Sequence, residues 1–274
     1  MTTLAPGSHD DFGRIDSWDE ARAESWARGL DSRAAAADQR RLREEILAIA
    51  RLQPGHTVVE IGAGTGPLLP ALAAAVGAGG RVIAIEPQPV LARFARERLS
   101  GLAARTEVRV ERGEASTLDD ATADVCIAQT VLCHLPPTLR SATLESMLRL
   151  TRSGGRVISA DQDADTWVID HPDRGLTRRI VEFYCEQRFA DGWTGRRLRG
   201  WFSEAGLAEV ETRAIVTVET EVDSYMYRIA IQRAETAAQA GWITPGECAG
   251  WVEALAARPF FSSLNFYVAA GRKR

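Results

Sequence analysis

The chain has 274 residues, 45% of them hydrophobic and 26% charged, an ordinary balance for a globular protein that can bury a core. A formal charge of −4 excludes any global attraction to nucleic acid or to an anionic membrane surface. No apolar run approaches the ~20 residues of a membrane span, and the opening stretch MTTLAPGSHDDFG lacks the basic start and apolar core of a secretory signal. Cys126, Cys133, Cys185 and Cys248 show neither CxxC pairing nor zinc spacing, so a reducing, cytoplasmic setting is expected.

Residues 17–52 carry two helical patterns, SWDEARAESWARGL and AADQRRLREEILAIARL. In the second, Leu42, Ile46, Leu47 and Ile49 recur near helical spacing with charges between them. QPGH breaks the helix, and TVVEIG follows as a short apolar strand. Strands are then expected at RVIAIE (81–86), EVRVERG (107–113), ADVCIAQ (123–129) and RVISAD (156–161). Helices are expected at PVLARFARERL (89–99) and PTLRSATLESMLRLTR (137–152), the latter stopped by Gly154 and Gly155. This alternation implies an α/β fold, with a parallel sheet covered by helices on both faces.

Past residue 161 the rhythm changes. A long loop is expected to lead into the amphipathic helix LTRRIVEFYCEQRF, followed by the helix TGRRLRGWFSEAGL and the strand EVETRAIVTVETE. About 35 residues of helical pattern precede the last strand, FFSSLNFYVAAG. The chain is read as one domain, 1–274, with N-terminal helices at 1–52 and a cofactor-binding core at 53–161. The stretches 162–195 and 224–258 are read as helical insertions forming a cap.

The most informative stretch is VVEIGAGTG, residues 58–66. Its glycines follow a strand and precede a helix, which lets backbone approach a nucleotide at a helix N-terminus. A dinucleotide fingerprint, GxGxxG, needs its third glycine where this chain has Pro67. Glu60 would repel a pyrophosphate but suits a positively charged sulfonium and amino group.

The run resembles motif I, E/DxGxGxG, of the class I S-adenosylmethionine-dependent methyltransferases, and further marks follow in that family's order over roughly residues 45–163. The resemblance implies a Rossmann-like, seven-stranded, mostly parallel sheet with an antiparallel last strand, and S-adenosyl-L-methionine as cofactor. It assigns Glu60, Gly62, Ala63, Gly64 and Gly66 to the cofactor loop, and Glu86 with Pro87 to the ribose at the end of the second strand. Gly113, Glu114 and Ala115 would meet the adenine, and Gln129 and Thr130 the methionine end. Glu114 departs from the commoner aspartate.

In such a fold, bases belong at the C-terminal ends of strands, where His134 stands after the fourth; His9, His56 and His171 are less well placed. The run SADQDADTWVIDHPD (159–173) fails as a calcium loop, because its sixth position is Thr166 and its twelfth is Pro172. It is instead expected to rim the acceptor site, with Asp161 and Asp163 as catalytic candidates and no metal. Trp167, Arg179 and Tyr184 are the substrate-binding candidates, through an apolar wall and an anion-pairing guanidinium. The resulting expectation is methyl transfer to a small molecule, with no nucleic-acid or membrane partner, of the kind that tailors bacterial secondary metabolites. Its rival is a cyclisation or rearrangement on the same cofactor-binding fold. The assembly is left open, with a homodimer among the alternatives.

Overall fold

The computed structural model describes residues 12–274; His9 and most of the opening stretch lie outside them. A seven-stranded sheet organises the fold, in the spatial order β3-β2-β1-β4-β5-β7-β6. Its strands are β1 (Thr57–Ile61), β2 (Arg81–Ile85), β3 (Arg105–Arg109), β4 (Ala123–Gln129), β5 (Thr151–Ile169), β6 (Ala208–Glu219) and β7 (Ser262–Arg272). The first five run parallel, and β7 lies antiparallel between β5 and β6, as the family resemblance implied.

The inner strands are short and apolar because both faces are covered. Val58, Val82 and Ile158 pack with α2 (Ala37–Ala50) and α3 (Leu69–Val76). Val59, Ile83 and Val157 pack on the opposite face with Met147 of α5 (Pro137–Leu150) and with Leu198 and Phe202 of α7 (Thr194–Glu204). Helix α4 (Pro89–Leu99) starts at Gln88, whose side chain accepts the Val90 N–H, with Pro89 setting the first helical φ. Helix α1 (Glu20–Ala34) and the preceding 3-10 turn form a separate small cluster in which Trp18, Ala23 and Ala27 pack on Leu91.

Two readings from the sequence need correction. The third strand begins at Arg105 and ends at Arg109, so residues 110–113 already belong to the turn beyond it. Residues 162–169, expected as a loop, continue β5. Pairing with β7 holds them there: Asp163 lies opposite Asn265 and Ile169 opposite Ser262, with an irregularity between Asp163 and Val168. Charged residues weaken the apolar alternation that marks a strand, but a partner strand on one side and α7 beneath supply the ladder and the packing.

Behind the extended end of β5 lie α6 (Arg174–Gln187), α8 (Tyr225–Gln239) and α9 (Pro245–Ala256). Trp251 of α9 is buried and donates its indole N–H to Thr177 Oγ1 at 3.0 Å, while His171 stacks on its ring. Helix α9 begins with a capping box between Thr244 and Glu247.

Helix α7 can lie against the sheet only because residue 195 is glycine. A Cβ there would sit 2.9 Å from the Asp161 carbonyl oxygen and 2.9 Å from the Tyr267 ring. Gly195→Ala should therefore destabilise the protein by about 1–3 kcal/mol despite the better helix propensity of alanine, as measured by urea denaturation. An unchanged midpoint would show that α7 moves away from the sheet at no cost.

Candidate functional site

The glycine loop leaves β1 beneath the first residues of α3. Gly62 has φ +68°, and a Cβ on it would lie 2.5 Å from Val131 Cγ2. Gly66 has φ +79°, and a Cβ there would meet Leu69 Cδ1 at 2.6 Å and Ala95 Cα at 3.1 Å. Side chains are thus excluded by conformation and by space. Gly62 and Ala63 donate their N–H groups to the Ile85 carbonyl at 2.8 and 3.1 Å, which ties the loop to the end of β2.

Two carboxylates lie under this loop. Glu86 is buried and accepts the Gly64 N–H at 2.8 Å and the Gln88 N–H at 3.0 Å, one on each oxygen. Each oxygen keeps a second lone pair for another donor. Glu60 is also buried, and its Oε2 has no hydrogen-bond partner among the described residues. Burial, reinforced by the Glu86 charge, pushes the Glu60 carboxyl up to about 8, while Arg43 acts in the opposite sense.

These groups face a cavity that also takes in Gly113, Glu114, Gln129 and Thr130. Arg112 donates to Glu114 at 2.5 Å, and Gly113 sits so close to Ile61 that a Cβ would come within 2.3 Å of its Cγ2. Gly66 and Ala115, also assigned to the cofactor by the resemblance, are not among the residues that line this cavity. Thr130 adopts φ +55°, a strained conformation for a β-branched residue. Its N–H donates to the Ala160 carbonyl at 2.7 Å, and its buried hydroxyl has no hydrogen-bond partner among the described residues. Two acids, one with a vacant oxygen, fit a ligand bearing an ammonium group and ribose hydroxyls; a pyrophosphate would meet like charge.

A second cavity, of about 620 Å³, adjoins the first. Phe12, Leu30, Arg33, Gln39, Thr130 and His134 line both. Strand alternation decides what β5 contributes to it. Ile158 and Ala160 face α2, and Gln162, next in that register, lines the second cavity. Gln162 is buried, gives its amide to Cys133 Sγ at 3.2 Å, and leaves Oε1 without a hydrogen-bond partner among the described residues. Asp161 and Asp163 point to the opposite face and line neither cavity.

Asp161 is fully buried and accepts the Cys133 N–H at 3.3 Å and the Ser159 hydroxyl at 3.0 Å. Burial pushes its carboxyl up to about 7 against those donors. It therefore holds the 3-10 turn Leu132–His134, whose last residue packs its ring between Phe12 and Phe189 at 4.8 and 5.4 Å. Asp163 is taken by Arg196 of α7, with Nη2 at 2.7 Å from Oδ1 and Nε on the other oxygen. Of the substrate candidates, Tyr184 lines the second cavity. Trp167 stands behind it, with ring centroids 4.7 Å apart and its N–H given to Ser262. Arg179 lies elsewhere, paired with Glu247 at 2.7 Å and bound to the Trp242 carbonyl at 2.6 Å.

The contribution of the N-terminal helices escaped the sequence reading. Gln39 and Arg43 follow each other at i, i+4 on the face of α2 that also presents Leu42 and Ile46, a polar intrusion that could have marked a cavity wall. Thr65 of the glycine loop donates to Asp31 at 2.6 Å, and Arg98 pairs with the same carboxylate at 2.7 Å, which anchors α1 over the loop.

Comparison with known proteins gives a consistent result. Residues 58–155 match a family model described as a methyltransferase domain. The chain is 30% identical over 242 residues to an uncharacterized 37.1 kDa protein of a Streptomyces fradiae transposon, a match that covers 87% of this chain and 69% of that one. It is 27% identical over 118 residues to the ubiquinone/menaquinone biosynthesis C-methyltransferase UbiE of Hydrogenovibrio crunogenus, covering 42% of this chain and 46% of the relative. Thus it spans about half the length of that named enzyme. Among solved structures, the YcgJ protein of Bacillus subtilis superposes with a TM-score of 0.60 at 14% identity, over 86% of this chain and 99% of the other. Geranyl diphosphate C-methyltransferase of Streptomyces coelicolor A3(2) superposes with a TM-score of 0.51 at 15% identity, over 85% and 78% of the two chains. With its glycine loop, paired acids and sheet order, the chain belongs to the class I S-adenosylmethionine-dependent methyltransferases.

Proposed function

We propose that this methyltransferase acts on a small molecule held in the second cavity, while the first cavity holds S-adenosylmethionine. The observation that carries this proposal is the common wall: His134 and Thr130 line both cavities at the ends of the central strands. That is where open α/β sheets bring ligands together. Glu60 would take the cofactor's ammonium, Glu86 its ribose hydroxyls, and Gly113 and Glu114 the adenine edge. Gln129 and Thr130 would flank the methionine end.

S-adenosylmethionine, when bound, would supply a methyl group on a positively charged sulfur and would leave as the neutral thioether once that methyl is on the acceptor. The protein's part is alignment of acceptor and methyl, which supplies much of the barrier reduction. Helix α1, anchored over the loop through Asp31, helps keep water out. His134 would receive the proton of a hydroxyl or amine acceptor, with Asp161 fixing the turn that carries it. Among the described residues no helix is long and apolar enough to cross a membrane. Four buried cysteines without a disulfide support a cytoplasmic setting.

Incubation with methyl-labelled cofactor and a metabolite extract should give a product heavier by one methyl group. A bound cofactor with an altered product but no methyl gain would instead establish a rearrangement. Glu86→Ala should weaken cofactor binding by about 2–3 kcal/mol in calorimetry, through the loss of two charge-assisted hydrogen bonds. Unchanged affinity would remove Glu86 from the site.

Glu60 gives a proton signature. With its carboxyl raised to about 8, it carries a proton at neutral pH in the free protein, and a bound ammonium would favour the ionised form. Binding at about pH 6 should then release about one proton, and affinity should rise with pH until about 8. Calorimetry in buffers of different ionisation enthalpy measures this release, and Glu60→Gln should abolish it. With an acceptor identified, His134→Ala should lower kcat by about 10²–10⁴-fold with little change in cofactor affinity. An unaffected kcat would show that no base is needed from His134.

A further inference from the structure

Buried oxygens without a hydrogen-bond partner among the described residues recur in the walls of the two cavities. Glu60, Thr130 and Thr143, which line the first, each have one, and so does Gln162, which lines the second alone. Other oxygens around the second cavity already serve the backbone. Asp38 accepts the Gln39 N–H at 2.7 Å, Glu219 accepts the Met226 N–H at 2.9 Å, and the Thr217 hydroxyl donates to the Leu264 carbonyl at 2.9 Å. Gln162 is 3% exposed, and its Oε1 has no such use.

Cys133 decides which end of the Gln162 amide is left over. Its thiol hydrogen goes to the buried Asp161 carboxylate, which also takes its backbone N–H at 3.3 Å. A thiol whose hydrogen is spent can only accept, so the group 3.2 Å from Cys133 Sγ is the amide nitrogen of Gln162, not its oxygen. Oε1 is therefore turned away from Cys133. Leaving a buried acceptor unmet costs more than one weak N–H to sulfur bond returns, so the tie to Cys133 does not by itself account for a glutamine here. Leu30, Met226, Ile229, Leu264 and Phe266 supply apolar wall to the same cavity. The terminal torsion of glutamine is broad, and a small swing presents the oxygen to an occupant.

We propose that Gln162 determines acceptor specificity: its Oε1 accepts the hydrogen of a hydroxyl or N–H group on the acceptor. This inference rests on the assignment of the second cavity to the acceptor. A molecule that brings the donor satisfies the buried oxygen, whereas an analogue without it fills the cavity and leaves that oxygen unmet, so the site rejects the analogue. Cys133 precedes His134 in the 3-10 turn Leu132–His134, so the tie that orients the amide also sets the donor's place relative to that imidazole.

The test uses the full chain saturated with S-adenosylhomocysteine at about pH 8, where Asp161 is ionised. Ligand-observed NMR titrations compare 4-propylphenol and 4-propylaniline, which carry a donor, with 4-propylanisole, which does not. At least one donor probe should bind about tenfold tighter than the anisole, and the preferred one tells hydroxyl from N–H. Gln162→Met, similar in volume, should remove the preference, whereas Gln53→Met, the same change at an exposed loop position, should keep it. The urea midpoint of Gln162→Met should hold or rise, because the unmet oxygen goes with the weak bond to sulfur. Donor and donor-free probes that bind equally, or a preference kept in Gln162→Met, would overturn the proposal alone; a lowered midpoint beside a kept preference would make Gln162 a structural tie. No binding of any probe at millimolar concentration would overturn it together with the assignment of the second cavity. Failure of S-adenosylhomocysteine to bind would strike the cofactor assignment instead, and the probe series without it would still read the cavity.

Discussion

Two buried carboxylates at the tips of neighbouring strands set the terms for the rest of the site. Glu60 and Glu86 stand close enough for the charge of one to raise the proton affinity of the other, and both are cut off from water. Such a pair is costly by itself, since burial penalises each charge and proximity penalises both together. Glu86 offsets its share by accepting two loop amides. Glu60 has Arg43 at a distance and one oxygen with no donor among the described residues. A cationic ligand group would resolve this conflict, so under the proposed assignment the cofactor's positive end would complete the electrostatics of the fold.

The glycine loop and the N-terminal helices follow from that arrangement. The loop must pass close over Glu86 to give it amide hydrogens, which requires positive φ and no side chain at Gly62 and Gly66. The helices must then cover a loop with little side-chain bulk of its own. They do so through Asp31, which receives the Thr65 hydroxyl and the Arg98 guanidinium, and through Gln88, which donates to the Ile15 and Trp18 carbonyls at 3.3 Å each. Arg43 reaches the acids from the same side.

The first cavity was largely legible in the sequence because most of the residues named for it, from Glu60 to Thr130, lie at or just beyond the ends of β1 to β4 and line it together. The sheet order and the antiparallel last strand came through the resemblance and agree with the structure. The second cavity was not legible, because nine separated segments line it among the described residues and no single segment carries a motif. The aspartate run shows the difficulty. As a loop, it would present all its acids to the rim; as a strand, it divides them by alternation, sending Asp161 and Asp163 beneath the sheet and Gln162 into the cavity. Whether 162–169 is loop or strand is decided by β7, about a hundred residues away. Arg179 was displaced for a similar reason: Glu247, on a helix far along the chain, had the closer claim on it.

The wall between the two cavities has a thermodynamic meaning. Phe12, Leu30 and Arg33 line both cavities, and α1, which carries two of them, is fastened to the glycine loop. A displacement of that wall by one occupant changes the space offered to the other, so the two binding free energies are linked and each occupant alters the other's affinity by the same factor. With the two cavities filled as proposed, the N-terminal helices would couple the occupancy of one to the affinity of the other.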